Sequence, residues 1–388
     1  MLADENFPTN CTRRLLAEKD DGVESNTKPE PAIFARGKYQ PSLDGMRGVA
    51  VLVVVAVHAR PDYLPGGWIG VDVFFVLSGY LITGLLAAEL AQSGRVDVPR
   101  FYFSRSLRLV PALWAMLAAL LAFSLVSSAA DQPTLKDTGV AFAYLMNFAL
   151  AYGDYPKNGL AHTWSLAVEQ QFYLIWPLLL SLLIGRRPTR WIGAAICLCA
   201  AWRWYLVASG APADRVYFGL DTHIEPILIG SWLALVRLPV GFRKLLIGAP
   251  FVPLVALCIM LFASRNTSPH ALTLGISVAG LATAWLIVVV SERNQTSSAL
   301  SFGPLVWLGK ISYGFYLWHL PVILLGHGIL PRWSNAVSIL ACIALAGLSH
   351  RYIEAPFLRL KATLRSSNRP ARPWHVESLA AQLPGSLR

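Results

Sequence analysis

Residues 107–128 read LRLVPALWAMLAALLAFSLVSS. After Arg108, twenty consecutive positions carry no charge, about the length a helix needs to cross the hydrocarbon core of a bilayer. Immediately before them stand Arg95, Arg100, Arg105 and Arg108. Cytoplasmic loops carry the excess of lysine and arginine, so this stretch predicts both a crossing and its direction, from the cytoplasm outward.

The rest of the chain repeats the pattern. Hydrophobic residues make up 55% of 388 and charged residues 14%, where a soluble domain needs about a quarter of its residues charged. Further apolar stretches lie near 46–60, 68–90, 138–153, 165–185, 190–208, 222–236, 245–263, 271–291, 311–330 and 335–353. Loops 186–190 and 237–244 and the segment after Arg351 are basic like 91–108, and all should share one side. Eleven crossings would put 91–108 and 186–190 on opposite faces. Treating 138–153 as a short re-entrant or peripheral segment removes the conflict and predicts an all-α polytopic membrane protein of about ten spans, both termini cytoplasmic. The 33 basic residues then divide into 26 inside, six outside (Arg60, Lys136, Lys157, Arg215, Arg265, Arg332) and Arg203 within a span. The net charge of +11 is thus largely a sidedness signal that also favours anionic lipid. No basic domain exists for nucleic acid.

Residues 1–39 form a polar tail without the basic-then-apolar order of a signal peptide. Residues 40–364 form the membrane domain, and 365–388 a basic cytoplasmic tail. The cysteines Cys11, Cys197, Cys199, Cys258 and Cys342 follow no metal or disulfide spacing, and no metal is expected.

Ionisable groups at membrane depth are costly and mark function by default. The first span carries Arg47 and His58, eleven positions apart. That is three helical turns to within about 20°, roughly 16 Å along one face. Imidazole is the side chain best suited to take a proton near neutral pH. The second span reads Gly70-Val71-Asp72-Val73-Phe74-Phe75-Val76-Leu77-Ser78-Gly79-Tyr80. A later one opens His162-Thr163-Trp164-Ser165-Leu166-Ala167-Val168-Glu169. Entering from outside, it is expected to hold Glu169 in the outer half beside His58, supporting the imidazole or binding a sugar hydroxyl. Arg105 and Arg108 lie one turn apart at the basic face and suit phosphates. Tyr313, Tyr316 and His319 recur at three-residue spacing. Asp221, Arg203 and Glu225 read as interhelical polar contacts, and Arg351 and Glu354 as a pair at the end of the last span. Ser78 shows no base beside it in the sequence and reads as structural.

These motifs together resemble acyltransferase family 3. The resemblance rests on Arg47-(ten residues)-His58, Phe74-Phe75-Val76-Leu77-Ser78-Gly79-Tyr80, Thr163-Trp164-Ser165-Leu166 through Glu169 to Phe172-Tyr173, and Ile311-Ser312-Tyr313 through His319. It covers about Tyr39 to Leu364. The resemblance implies a bacterial inner-membrane O-acyltransferase that takes acetyl from acetyl-CoA and places it on a carbohydrate or glycolipid acceptor, such as lipopolysaccharide O-antigen or exopolysaccharide. It implies His58 and Glu169 as catalytic, Arg47 as the partner of His58, and Arg105 and Arg108 as the acyl-CoA site. Asp72, Ser78, Trp164, Ser165, Tyr313, Tyr316 and His319 are implied as supporting or pocket residues. Some members carry a further periplasmic domain after the last span. The 23 residues after Arg365 leave no room for one, so the chain is expected to act alone or with a separate transfer partner. Small acceptors such as macrolides or lipo-oligosaccharides stay open. So does a proton-coupled carrier, although the internal repeat common in carriers is absent: the Arg47–His58 helix and the Trp164-Ser165-Leu166 motif each occur once.

Overall fold

The structure, a computed structural model, describes residues 39–126, 133–153, 155, 158–183, 186–263, 265, 267–329 and 334–360. Both tails beyond 39–360, with Cys11, Lys157 and Arg332, lie outside the described residues. All regular elements among those described are helical. Seven helical segments are long and apolar enough to cross a membrane: Pro41–Ala59 (α1), Ile69–Ser93 (α2), Val98–Val126 (α3), Ala161–Leu183 (a short turn leading into α6, Trp164–Leu183), Pro188–Ala208 (α7), Ala271–Val290 (a π turn leading into α13, Ile276–Val290) and Asn335–Leu360. An eighth crossing results if Val240–Gly248 (α11) and Phe251–Ala263 (α12), bent by 55° at their junction, count as one. Pro250 explains that break, since proline supplies no amide hydrogen and displaces the preceding turn.

One of the expected spans is shorter than foreseen, and another is met over its described residues. The stretch near 222–236 becomes Glu225–Leu235 (α10) behind two small helices, Ala213–Phe218 (α8) and Leu220–His223 (α9). The stretch near 311–330 becomes Ser312–Ile329 (α16), with Pro321 inside it. The segment set aside as non-crossing is two helices of eight and seven residues, Leu135–Phe142 (α4) and Met146–Tyr152 (α5), too short for a bilayer. Tyr144 between them takes φ 55°. Thr134 and Asp137 close a reciprocal cap at the start of α4, satisfying donors that a helix start leaves open.

The bundle is held by close backbone approach. α2 and α10 pack against each other most extensively, through glycines on both sides. A Cβ on Gly79 would lie 1.9 Å from the carbonyl oxygen of Ile227, and one on Gly230 2.0 Å from that of Val76. Small residues permit such contact where lipid supplies no hydrophobic drive between helices. Gln295–Leu300 (α14) and Gly303–Lys310 (α15) lie along α1. Outward faces are apolar, with Leu125, Trp191, Leu198, Phe251 and Phe262 exposed, as lipid requires. Gly79→Ala is expected to cost about 1–3 kcal/mol by overpacking, read as a lower melting temperature in detergent. Gly241→Ala, where nothing lies within 4 Å, should leave melting unchanged or raise it.

One buried polar network sits away from lipid. Arg203 on α7 pairs with Glu225 at 2.5 Å and donates to the Thr222 and Thr273 carbonyls at 3.0 and 3.2 Å. The expected interhelical role of Arg203 and Glu225 is what the geometry shows. Asp221 on α9 is an interhelical contact too, pairing with Arg215 on α8 and accepting from the Trp202 indole on α7 at 2.7 Å. The expected Arg351–Glu354 pair does not form. His350, one turn back, reaches Glu354 at 3.5 Å, while the Arg351 guanidinium lies over the Tyr352 ring.

Candidate active site

Five helices converge on a cavity of about 110 Å³. α2 contributes Val71, Phe74, Phe75, Ser78 and Ile82, spaced three and four apart and so on one face. α3 adds Arg105, Arg108 and Leu109, α1 adds Arg47, α6 adds Ser165, Glu169 and Tyr173, and α16 adds Tyr313 and Tyr316. Three guanidinium groups thus face one carboxylate. None of the three reaches a carboxylate within ion-pair distance among the described residues. The Arg105 guanidinium lies over the rings of Phe101 and Tyr173, each 5.7 Å away. Cations at a cavity wall with no ion pair among the described residues can hold an anion, and forked guanidinium donors suit phosphate.

Glu169 is oriented by a short polar chain. The Tyr173 hydroxyl donates to Ser78 Oγ at 3.1 Å, and the Ser78 hydroxyl donates to the Glu169 carboxylate. This corrects the reading of Ser78 as lacking a base: a carboxylate is its direct neighbour. Sequence alone does not reveal it, since 91 residues separate the two. Tyr313 donates to the Leu109 carbonyl at 2.6 Å, tying α16 to α3 beside Pro111.

His58 stands apart from this cavity. It is exposed near the C-terminal end of α1, and its Nδ1–H donates to the Val54 carbonyl at 2.7 Å. Its ring neighbour is His319, 4.9 Å between centroids, and His162 lies 5.1 Å beyond His319. Glu169 thus lines an Arg–Glu cavity while His58 sits in a group of three imidazoles, and Arg47 and His58 lie as far apart along α1 as their spacing requires. Helix rise explains the separation. Arg47 is about 16 Å from His58 along α1, and Glu169 about 10 Å along its segment from His162. Tyr316 spans the gap: its ring is 5.2 Å from that of His319, its hydroxyl donates to the His162 carbonyl at 2.8 Å, and Ser165 lies 2.6 Å from the same oxygen.

Of the residues singled out from sequence, the cavity unites Arg47, Ser78, Arg105, Arg108, Ser165, Glu169, Tyr313 and Tyr316. His58 and His319 form the imidazole group above it. Asp72 and Trp164 face a different partner. Asp72 bonds His223 Nε2 at 2.8 Å, with both side chains fully buried, and the Trp164 ring lies 5.2 Å from the same imidazole. His223 escaped the sequence reading, and His162 enters it only as the opening of its segment, with no role assigned. The available signal was their position, a histidine at the edge of an apolar stretch in each case.

The chain matches the family model described as "Acyltransferase domain" over residues 40–349. It is 34% identical over 352 residues to "Peptidoglycan O-acetyltransferase OatA" of Listeria monocytogenes, covering 82% of this chain and 56% of that protein. Identity is 30% over 353 residues to "O-acetyltransferase OatA" of Staphylococcus aureus, covering 82% and 57%. It is 32% over 347 residues to "Putative peptidoglycan O-acetyltransferase YrhL" of Bacillus subtilis, covering 82% and 55%. The chain thus spans little more than half the length of these relatives. No solved structure matches it. With a match that takes in every helix of the cavity, and with bacterial relatives throughout, the chain belongs to the acyltransferase family as a multi-pass protein of the bacterial inner membrane.

Proposed function

We propose that this protein is a membrane O-acyltransferase that moves an acetyl or other short acyl group from cytoplasmic acyl-CoA to a hydroxyl of a carbohydrate acceptor. The observation that carries the reading is the arginine-lined cavity with a cluster of imidazoles beyond it. In this reading Arg47, Arg105 and Arg108 hold the phosphates of coenzyme A, and Glu169, held by Ser78, sets the spacing of the cations. The acyl thioester lies further along, toward His58. Because Nδ1 of His58 is committed as a donor to Val54, Nε2 carries the lone pair and is free to act as base. The acceptor oxygen bonds to the thioester carbon as its proton passes to Nε2. The carbon–sulfur bond then breaks with its electron pair on sulfur, and the imidazolium returns the proton to give free coenzyme A. Ser78 is level with the arginines rather than with His58, which supports a positioning role for it.

The same reading takes the chain as ten crossings with both termini cytoplasmic. The seven long segments and the bent α11–α12 pair account for eight of these, and the reading counts the shorter α10 and α16 as the other two. It places the arginines at the cytoplasmic entrance and His58 toward the acceptor. The relatives' printed names favour peptidoglycan among carbohydrate acceptors. A surface polysaccharide or lipopolysaccharide has the same hydroxyl chemistry, and a separate periplasmic partner completing the transfer is compatible with it.

The test is transfer of radiolabelled acetyl from acetyl-CoA in membrane vesicles, fractionated into peptidoglycan, other glycans and lipid-linked material. Label in a glycan fraction is expected. Absence of label from every fraction, with several acyl-CoAs tried, would return the chain to the carrier reading. Arg105→Ala and Arg108→Ala should each raise the KM for acetyl-CoA about tenfold or more, the worth of one charge-assisted hydrogen bond. An unchanged KM in both would remove the cavity from donor binding.

A further inference from the structure

An imidazole that takes a proton gains from a neighbour that stabilises the cation it becomes. In many hydrolytic sites a carboxylate does this. Here Glu169 is bound to Ser78 in the arginine cavity, and among the described residues the hydrogen bonds of the three imidazoles go to the backbone carbonyls of Val54, Leu317 and Tyr316. The neighbouring charged groups are occupied elsewhere. Asp72 on α2 is bonded to His223, Asp62 lies 3.8 Å from Arg265, the Arg60 guanidinium lies over Tyr63, and Lys310 on α15 lies over Tyr39.

His319 is fully buried at 0% exposure. Its Nδ1 lies 2.5 Å from the Tyr316 carbonyl, and since a carbonyl only accepts, that nitrogen carries the hydrogen. Nε2 then holds a lone pair, and it is buried with no hydrogen-bond partner. His58 has the same tautomer for the same reason. Two neutral imidazoles 4.9 Å apart therefore offer lone pairs and no hydrogen to share. One added proton removes the deficit. Among the described residues no cluster could hold a metal instead.

The geometry points to His319 as the positioning residue of the transfer: once His58 has taken the proton of the acceptor hydroxyl at Nε2, the unpartnered Nε2 of His319 shares that N–H with the acceptor oxygen in a three-centre hydrogen bond. The assignment rests on the proposed acyl transfer but fixes a specific residue in it. Tyr316 holds His319 in this tautomer through its carbonyl, while its phenol lines the donor cavity. Backbone and side chain of one residue thus connect the two stations. His319 forms no bond to substrate. It receives a hydrogen bond while the acceptor oxygen attacks and gives it up when His58 passes the proton to the leaving sulfur.

The test reads His58 directly, without an acceptor. Diethyl pyrocarbonate modifies only unprotonated imidazole, and mass spectrometry of the His58 peptide follows its rate against pH in purified, detergent-held protein. Loss of a hydrogen bond to a charged group should move the midpoint down by about one pH unit, tenfold in proton affinity, in His319→Phe. His319→Gln restores an acceptor at similar reach and should return the midpoint toward wild type. Acetyl transfer should fall at least tenfold in the phenylalanine variant at unchanged KM for acetyl-CoA, with partial recovery in the glutamine variant. A midpoint identical in wild type and both variants overturns the assignment, even if both lose activity, because a merely structural role would not move it. If the phenylalanine variant fails to fold, a glutamine variant whose midpoint falls by a full unit overturns it equally. Absence of transfer by the wild type would instead count against the parent reading and leave the pH profile intact.

Discussion

His58→Ala is expected to cut acetyl transfer by about 10²–10⁴-fold, the usual worth of a positioned general base, while the KM for acetyl-CoA stays near that of wild type. The two effects separate because the arginines lie about 16 Å down the same helix and share no hydrogen bond with the imidazole. His58 also bears little of the fold. Its ring is exposed and its one described hydrogen bond goes to the carbonyl a turn below it, so alanine costs no packed interior. Initial rates in vesicles at matched expression check the prediction. Equal labelling by wild type and variant would take His58 out of the chemistry and direct attention to Ser78, whose hydroxyl already donates to a carboxylate. An acyl-Ser78 adduct would then be visible by mass spectrometry of the variant.

Much of this architecture is written in local features. The charge-free run after Arg108 marks a helix long and apolar enough to cross a membrane. Arg105 and Arg108, one turn apart, share the cavity because a single helix carries both. Arg47 and His58 share a face as the eleven-residue spacing requires. The same spacing sets Arg47 about 16 Å from His58, so the two share a face without touching. Glu169 is the more instructive case. Its span does enter beside the imidazoles, but His162 is the residue at that level, and seven further positions carry Glu169 about 10 Å down to the arginines.

What sequence does not convey is long-range contact. Ser78 and Glu169 are 91 residues apart, Asp72 and His223 are 151 apart, and His162 meets the Leu317 carbonyl across 155. Such contacts depend on which helices are neighbours, and that is set by features such as the glycines of α2 and α10 that let two backbones meet. The short α10 is likewise a tertiary outcome. Hydropathy over 222–263 reads as two ordinary spans; the structure shows one truncated and one broken, the break falling at Pro250.

The largest stability effect should come from the Arg203–Glu225 pair, and its form is diagnostic. The guanidinium joins α7 to α10, reaches the Thr222 and Thr273 carbonyls, and donates to Ser277 Oγ at 2.7 Å, which in turn donates to Glu225 at 2.8 Å. Both side chains are almost wholly buried, at 0% and 3% exposure. Removing either partner leaves a buried charge uncompensated, at a cost of about 3–5 kcal/mol. Glu225→Leu and Arg203→Met are each expected to lower the melting temperature in detergent sharply. Arg203→Met/Glu225→Leu leaves no orphaned charge, and apolar replacement of a buried pair is often neutral, so the double variant should recover most of the loss. Additive losses in the double variant would mean something different. The bonds to Thr222, Thr273 and Ser277 would then matter more than charge balance, with the guanidinium acting as the tie between helices that lipid-facing surfaces do not provide.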